Sequence, residues 1–203
     1  VCLFLCSTLL QSQTYRFKNY GDESRIPDGF IYTLNQDNNG YLWVGTRSGI
    51  SKFDGFEFHN IAFPDSAQGR YPTACLKDKY GTLWFGCTDG TIFSAEEHTL
   101  KQHTISNDKS ISTLLEGPDG SIWIVPQGEL LFRINSADQK NIKSYRFEQN
   151  IILYSACFTE SGDLLLGTQE NMHILRVQED TLITRDTING FNYSSVTAIN
   201  KLK

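Results

Sequence analysis

Residues 40–55 read Gly40-Tyr-Leu-Trp-Val-Gly-Thr-Arg-Ser-Gly-Ile-Ser-Lys-Phe-Asp-Gly55. Four glycines punctuate two short apolar runs, and one tryptophan sits in the first run. Glycine beside a short run rich in β-branched and aromatic residues marks a turn between strands. The stretch contains no pair of groups suited to catalysis. Its meaning rests on whether it recurs.

It recurs three times. Asp37-Asn-Asn-Gly-Tyr-Leu-Trp-Val-Gly45 is followed by Asp78-Lys-Tyr-Gly-Thr-Leu-Trp-Phe-Gly86, then by Gly117-Pro-Asp-Gly-Ser-Ile-Trp-Ile-Val125, then by Thr159-Glu-Ser-Gly-Asp-Leu-Leu-Leu-Gly167. The anchoring glycines Gly40, Gly81, Gly120 and Gly162 are spaced by 41, 39 and 42 residues. Three positions beyond them lie Trp43, Trp84, Trp123 and Leu165. An apolar segment precedes each anchor, and another follows each motif.

Each unit reads as four short strands. The first precedes the anchor, where Asp or Asn opens a tight turn and Gly takes the positive-φ position. The second is the Leu-Trp-Val-Gly segment. The outermost, as in Phe56-Glu-Phe-His-Asn-Ile61, alternates apolar and polar residues as an edge strand with one wet face does. A four-stranded unit of about 40 residues is the sequence mark of a β-propeller blade. The expected fold is therefore all-β: a β-propeller of four-stranded antiparallel blades, present as a partial, open arc of about four blades. The blades are expected over about 30–61, 71–105, 111–147 and 152–188. Residues 15–20 align with a blade's outer strand, and 194–203 look like the start of a further blade. Together they suggest a larger ring of which this is a part.

The tryptophan, once per blade at a fixed strand position, suits the filling of the blade–blade interface better than a sugar-stacking platform. Gly45, Gly86 and Gly167 follow at one offset, where a small residue lets strands or blades approach closely.

With 203 residues, 39% hydrophobic and 20% charged, the chain is of globular composition. A net charge of −5 and the lack of a basic cluster argue against nucleic acid as a partner. Residues 1–13 begin with an uncharged apolar run too short to span a bilayer as a helix, followed by polar residues. They read as a truncated signal peptide, with a buried first strand as the alternative. Phe4-Leu-Cys6 lacks the small residue of a lipoprotein signal, so the reading is export without a lipid anchor.

Beyond the leader stand Cys75, Cys87 and Cys157. Cys75 and Cys87 fall on consecutive expected strands. Either they bridge, or they serve as buried small hydrophobes. His59 and His103 fall on outer strands, where solvated side chains are expected. The carboxylates of Asp28, Asp89, Glu96, Glu97 and Asp119 lie in turns, which turn chemistry explains better than acid–base work. No catalytic set, cofactor site or metal site is read from the spacing.

The pattern Asp-x-x-Gly-x-Leu-Trp-x-Gly-Thr-x-x-Gly-Ile-x-x-Phe-Asp-Gly over Asp37–Gly55 closely resembles the two-component regulator propeller repeat. The second unit departs at Cys87, the third at Val125-Pro126, and the fourth at Thr159 and Leu165. WD, kelch and Asp-box propeller patterns do not appear in register. The resemblance implies the periplasmic sensor region of a Bacteroidetes-type hybrid histidine kinase, the ectodomain of an inner-membrane protein. It further implies a homodimeric parent whose same chain carries the rest of the propeller and a membrane-anchored kinase, and which senses carbohydrate fragments to regulate polysaccharide use. The competing functions are an exported propeller enzyme, such as a glycan lyase or hydrolase, and a propeller scaffold fused to another signalling output. Ligand binding is expected at a mouth of the ring or in its channel. Tyr32, Arg47, Arg70, Tyr71 and Gln127 are the strand-end and loop residues able to stack on a sugar or hydrogen-bond it. Each can equally be an ordinary surface side chain.

Overall fold

The computed structural model describes residues 28–64, 69–105, 107–135, 139, 141–147, 151–179 and 181–189. The expected leader at 1–13, outer strand at 15–20 and further blade from 194 lie outside the described residues. Four sheets follow in chain order. The first holds β1 (Ile31–Gln36), β2 (Leu42–Thr46), β3 (Gly49–Phe53) and β4 (Phe58–Ile61). The second holds β5 (Pro72–Lys77), β6 (Leu83–Cys87), β7 (Ile92–Glu96) and β8 (Thr99–His103). The third holds β9 (Ile111–Glu116), β10 (Ile122–Pro126), β11 (Leu130–Ile134) and β12 (Ile142–Arg146). The fourth holds β13 (Leu153–Phe158), β14 (Leu164–Thr168), β15 (Met172–Gln178) and β16 (Thr181–Ile188). Every sheet is a four-stranded antiparallel meander. The inner strands β1, β5, β9 and β13 lie side by side in succession. The all-β propeller arc expected from the repeat is what the chain forms.

The repeated turn owes its shape to one carboxylate. Asp37 Oδ1 accepts the backbone N–H groups of Asn39 (2.9 Å) and Tyr41 (3.0 Å). Asp78 Oδ1 does the same for Tyr80 and Thr82, both at 2.9 Å. The second oxygen turns inward. Trp43 Nε1–H donates to Asp37 Oδ2 at 3.0 Å, and Trp84 Nε1–H to Asp78 Oδ2 at 2.9 Å. One side chain thus caps the turn and fixes the indole plane, satisfying a donor that burial would otherwise orphan. The anchor residue closes the turn at φ +87° in Gly40 and +88° in Gly81, where a side chain is strained.

The tryptophans face the following sheet. Trp43 packs with Leu83, Phe85 and Phe93, Trp84 with Ile111, Ile122 and Ile124, and Trp123 with Leu153, Leu164 and Leu166. All three rings are almost wholly buried. They are fillers between blades, not platforms. The glycine two residues on has the companion role. A Cβ on Gly45 would collide with Pro72 of the next sheet, and one on Gly86 would lie 2.5 Å from Ile111 Cγ2.

A second tie joins the inner strands. Each carries a bulge near its start, at Tyr32, Thr73, Ser112 and Tyr154. Thr73 Oγ1 lies 2.7 Å from the carbonyl of Ile111 in the next sheet and 3.2 Å from that of Gly86 in its own. Ser112 Oγ repeats this with Leu153 (3.4 Å) and Val125 (2.7 Å).

One open alternative is decided and one expectation needs correction. Cys75 and Cys87 form no disulfide. The β5–β6 register sets Cys75 opposite Phe85 and Cys87 opposite Pro72, so the two are not cross-strand partners and serve as apolar filling. His103 is buried rather than solvated. Its Nε2 lies 2.9 Å from Ser94 Oγ, and its ring lies 4.9 Å from that of Trp84. The outer strand buries this residue because its alternate side chains turn toward the next sheet.

Replacing Asp78 by Ala should cost roughly 3 kcal/mol, since two turn N–H groups and a buried indole N–H lose their acceptor. Asp37→Ala should cost less, because its turn is more exposed. Urea denaturation of both variants checks the order.

Candidate functional site

Antiparallel order sorts the connections to two ends of the arc. The β1–β2 and β3–β4 turns, with their counterparts, lie at one end, here the turn end. The β2–β3 turns and the links from one sheet to the next lie at the other, the loop end.

All five residues expected to meet a ligand sit at the loop end. Tyr32 and Tyr71 come together, with ring centroids 4.7 Å apart. Arg70 is buried and committed: its Nε donates to Asp89 Oδ2 at 2.6 Å, and its guanidinium lies over Phe63 (5.6 Å) and Phe93 (5.4 Å). It ties a loop down and has little left for a ligand. Arg47 and Gln127 are exposed in turns of the first and third sheets. The structure therefore brings Tyr32 and Tyr71 together, commits Arg70 to its own loop, and leaves Arg47 and Gln127 as surface side chains.

Clefts among the described residues lie at the opposite end. One, of about 740 Å³, runs along the inner strands β9 and β13 beneath the second sheet's turn. Lys79, Glu116, Glu160, Thr113 and Thr159 supply its polar groups, over a floor that includes Leu114, Ala156 and Phe158. Glu116 Oε2 accepts the backbone N–H of Lys79 at 3.1 Å. Its Oε1 is buried with no hydrogen-bond partner among the described residues. Smaller clefts of about 190 Å³ and 360 Å³ open between sheets one and two and between sheets three and four.

These clefts differ because one turn position differs. The residue after the turn's first position overlies the anchor glycine of the next sheet: Asn38 over Gly81, Lys79 over Gly120, Pro118 over Gly162. An amide, an ammonium and a pyrrolidine ring thus line successive junctions. The variable second position of the turn is the sequence signal for these residues, whereas the residue types able to stack on a sugar lie at the loop end.

Electrostatics at the turn end follow the repeat. A cation on the third strand faces the turn carboxylate in three sheets. Lys52 Nζ lies 3.5 Å from Asp37 Oδ2 and 4.4 Å from the Tyr41 ring centroid. Arg133 pairs with Asp119. Arg176 Nε donates to Asp163 Oδ1 at 2.9 Å, and Arg185 Nη1 to Asp163 Oδ2 at 2.8 Å. Burial acts to raise the pKa values of Asp37 and Asp119, but their hydrogen bonds and the facing cations outweigh it and hold both below the usual carboxylate range. Arg176 does most to lower that of Asp163. At Asp54 the N–H of Glu57, the ring of His59 and the N–H of Phe56 bring it to about 2. Among the described residues no three His, Cys, Asp or Glu side chains are grouped to hold a metal ion. No helix among them is long and apolar enough to cross a membrane.

Successive four-stranded meanders packed face to face, inner strand beside inner strand, define the chain as a β-propeller segment. Within that class it carries a particular repeat: the pattern of the family described as "Two component regulator propeller" matches residues 25–48. Histidine kinase P4 of Formosa agariphila is 38% identical over 48 residues, which are 24% of this chain and 4% of that kinase. Among solved structures, virginiamycin B lyase of Staphylococcus aureus superposes with a TM-score of 0.63 at 18% identity, over 76% of this chain and 54% of the lyase. The extracellular domain of the hybrid two component system BT3049 of B. thetaiotaomicron superposes with a TM-score of 0.58 at 16% identity, over 77% of this chain and 23% of that domain. Such identities carry the fold alone. The chain spans only part of each of these proteins.

Carboxylates with lowered native pKa values stabilise the fold above their unfolded value, and that stability is lost as pH falls through the native value. From an ordinary value of 3.8, with Asp54 at about 2, the thermal midpoint should stay level near neutrality and drop between about pH 4 and pH 2. Asp54→Asn with Asp119→Asn should lower the plateau and shrink the acid loss. Scanning calorimetry across that range decides it; a flat profile would contradict the pairing.

Proposed function

We propose that this chain is the ligand-sensing propeller segment of a hybrid two-component sensor histidine kinase, held on the periplasmic side of the inner membrane. The repeat matched at residues 25–48 carries the reading. The partial likeness to a histidine kinase supports it. The ligand is a carbohydrate fragment, and the output is control of polysaccharide use. The parent is a homodimer, and ligand shifts the populations of its arrangements so that the kinase in the same chain responds.

The cleft on β9 and β13 is the best seat for such a ligand. A saccharide presents hydroxyls that both donate and accept, and C–H faces that prefer apolar surface. The cleft offers one ammonium, two carboxylates and two threonine hydroxyls over an aliphatic and aromatic floor. Glu116 Oε1 is an acceptor in want of a donor.

The ectodomain expressed from the reading frame that contains this chain should bind one class of polysaccharide-derived oligosaccharide in calorimetric titration. Glu116→Gln and Lys79→Ala should each weaken it by about tenfold, the worth of one charge-assisted hydrogen bond. No binding across a broad panel would refute the sensor reading. Cleavage of a bound glycan, abolished by either variant, would establish the exported enzyme instead.

A further inference from the structure

The outer strand of the fourth sheet differs from its counterparts. β4 has four residues, β8 and β12 have five, and β16 has eight. No described strand pairs with its outer edge. Short outer strands limit edge-to-edge association, and β16 lacks that safeguard.

Its sequence is a chemical palindrome: Ile183-Thr184-Arg185-Asp186-Thr187-Ile188. Laid antiparallel to itself about a dyad between Arg185 and Asp186, it sets Ile183 opposite Ile188, Thr184 opposite Thr187 and Arg185 opposite Asp186, each twice. Two isoleucine pairs, two threonine pairs and two opposite-charge pairs result. These are pair types that stabilise antiparallel ladders.

In a regular strand this register fails. Cross-strand partners must share a face of the sheet, and residues separated by an odd number point to opposite faces. The bulge in β16 removes the obstacle. Ile183 pairs with Arg176, Asp186 with Ile174 and Ile188 with Met172. Those three β15 residues alternate regularly and lie on one face. Ile183, Asp186 and Ile188 therefore share that face, because the irregularity at Arg185 shifts the alternation between them. Arg185 joins them through Asp163, which it shares with Arg176. Thr184 and Thr187, opposite Leu175 and His173, lie together on the other face. After the bulge, every pair of the palindrome has its members on one face.

Exposure agrees. Ile183 is 45% exposed and Ile188 40%, large apolar side chains on an edge. The Arg185 side chain is 48% exposed and keeps donors beyond the one given to Asp163. Asp186 Oδ1 accepts the Thr187 N–H at 2.8 Å, and a carboxylate has further acceptor capacity.

We infer that β16 is a self-pairing edge through which a second copy of this chain docks, joining two fourth sheets into one continuous eight-stranded sheet with Arg185 of each copy against Asp186 of the other. An edge of this length is a small interface, below the roughly 1,200 Å² of stable complexes, so association in free solution is weak. Two copies tethered to one surface would meet at a far higher effective concentration. The inference is independent of the ligand.

Sedimentation equilibrium at protein concentrations on the order of 100 μM should show reversible dimerisation of the ectodomain. Arg185→Asp sets Asp against Asp, and Asp186→Arg sets Arg against Arg. Each should weaken self-association by about tenfold or more, and an equimolar mixture of the two variants should restore it, since their cross-pairs are again opposite in charge. Wild type that stays monomeric, a dimer indifferent to both variants, or a mixture that fails to recover would each overturn the inference. Should either variant misfold, hydrogen exchange of the wild type decides: protection of the β16 amides must rise with protein concentration, and unchanged protection refutes the pairing.

Discussion

A four-stranded sheet has two faces, and alone it can bury neither. That constraint governs this molecule. The tryptophans of the first three sheets are buried against the sheet that follows as well as by their own strands, and the first inner residue of the next sheet, Pro72 or Ile111, sits against a glycine with no room for a Cβ. The repeat is therefore a statement about neighbours. Its Asp-x-x-Gly turn holds the indole at the angle the next sheet requires, and the glycine two residues beyond the indole admits that sheet's backbone. Stability in such an array is shared between adjacent units rather than owned by any one of them.

This explains why the fold was legible in the sequence and where legibility ended. Period, strand count and the interblade role of the tryptophan were all readable because they rest on residue types with one structural use each: Gly at positive φ, Trp at a closed interface. What the tryptophan's N–H does was not readable. The bond from Trp84 to Asp78 joins two motif positions whose residue types each point to a separate job, turn and filler. The burial of His103 is hidden in the sequence for a related reason. Alternation along an outer strand gives a polar residue a wet face only if the neighbouring sheet leaves it one, and here Ser94 supplies a buried partner instead. Cys75 and Cys87 looked like strand neighbours, but pairing depends on a register that the bulge at Thr73 helps to set.

Where a ligand would sit is the least legible part. Residue type alone does not mark a ligand contact, as Arg70 at the loop end shows. A buried arginine over two phenyl rings and against Asp89 is the loop's own anchor. Clefts among the described residues lie at the turn end, where the anchor glycine is constant and the second turn position differs in every unit. Asn38, Lys79 and Pro118 share one structural duty, lying over the next anchor glycine, and differ in everything else. A repeat protein acquires specificity at positions where the fold asks only for contact and leaves the chemistry open.

Divergence from the repeat concentrates in the third and fourth sheets. Where Asp37 and Asp78 stand in the first two turns, the third has Gly117 and the fourth Thr159. The carboxylate function moves to Asp119 and Asp163, which turn to arginines on later strands instead of to an indole. Freed from capping a tryptophan, Asp163 gathers both Arg176 and Arg185. The second contact reaches the outer strand at its bulge, where the alternation of side chains changes phase. The loss of one motif residue in the fourth unit thus accompanies a longer, differently phased edge, and the same substitution that weakens the repeat as a signature makes that sheet the one least like its neighbours at its exposed rim.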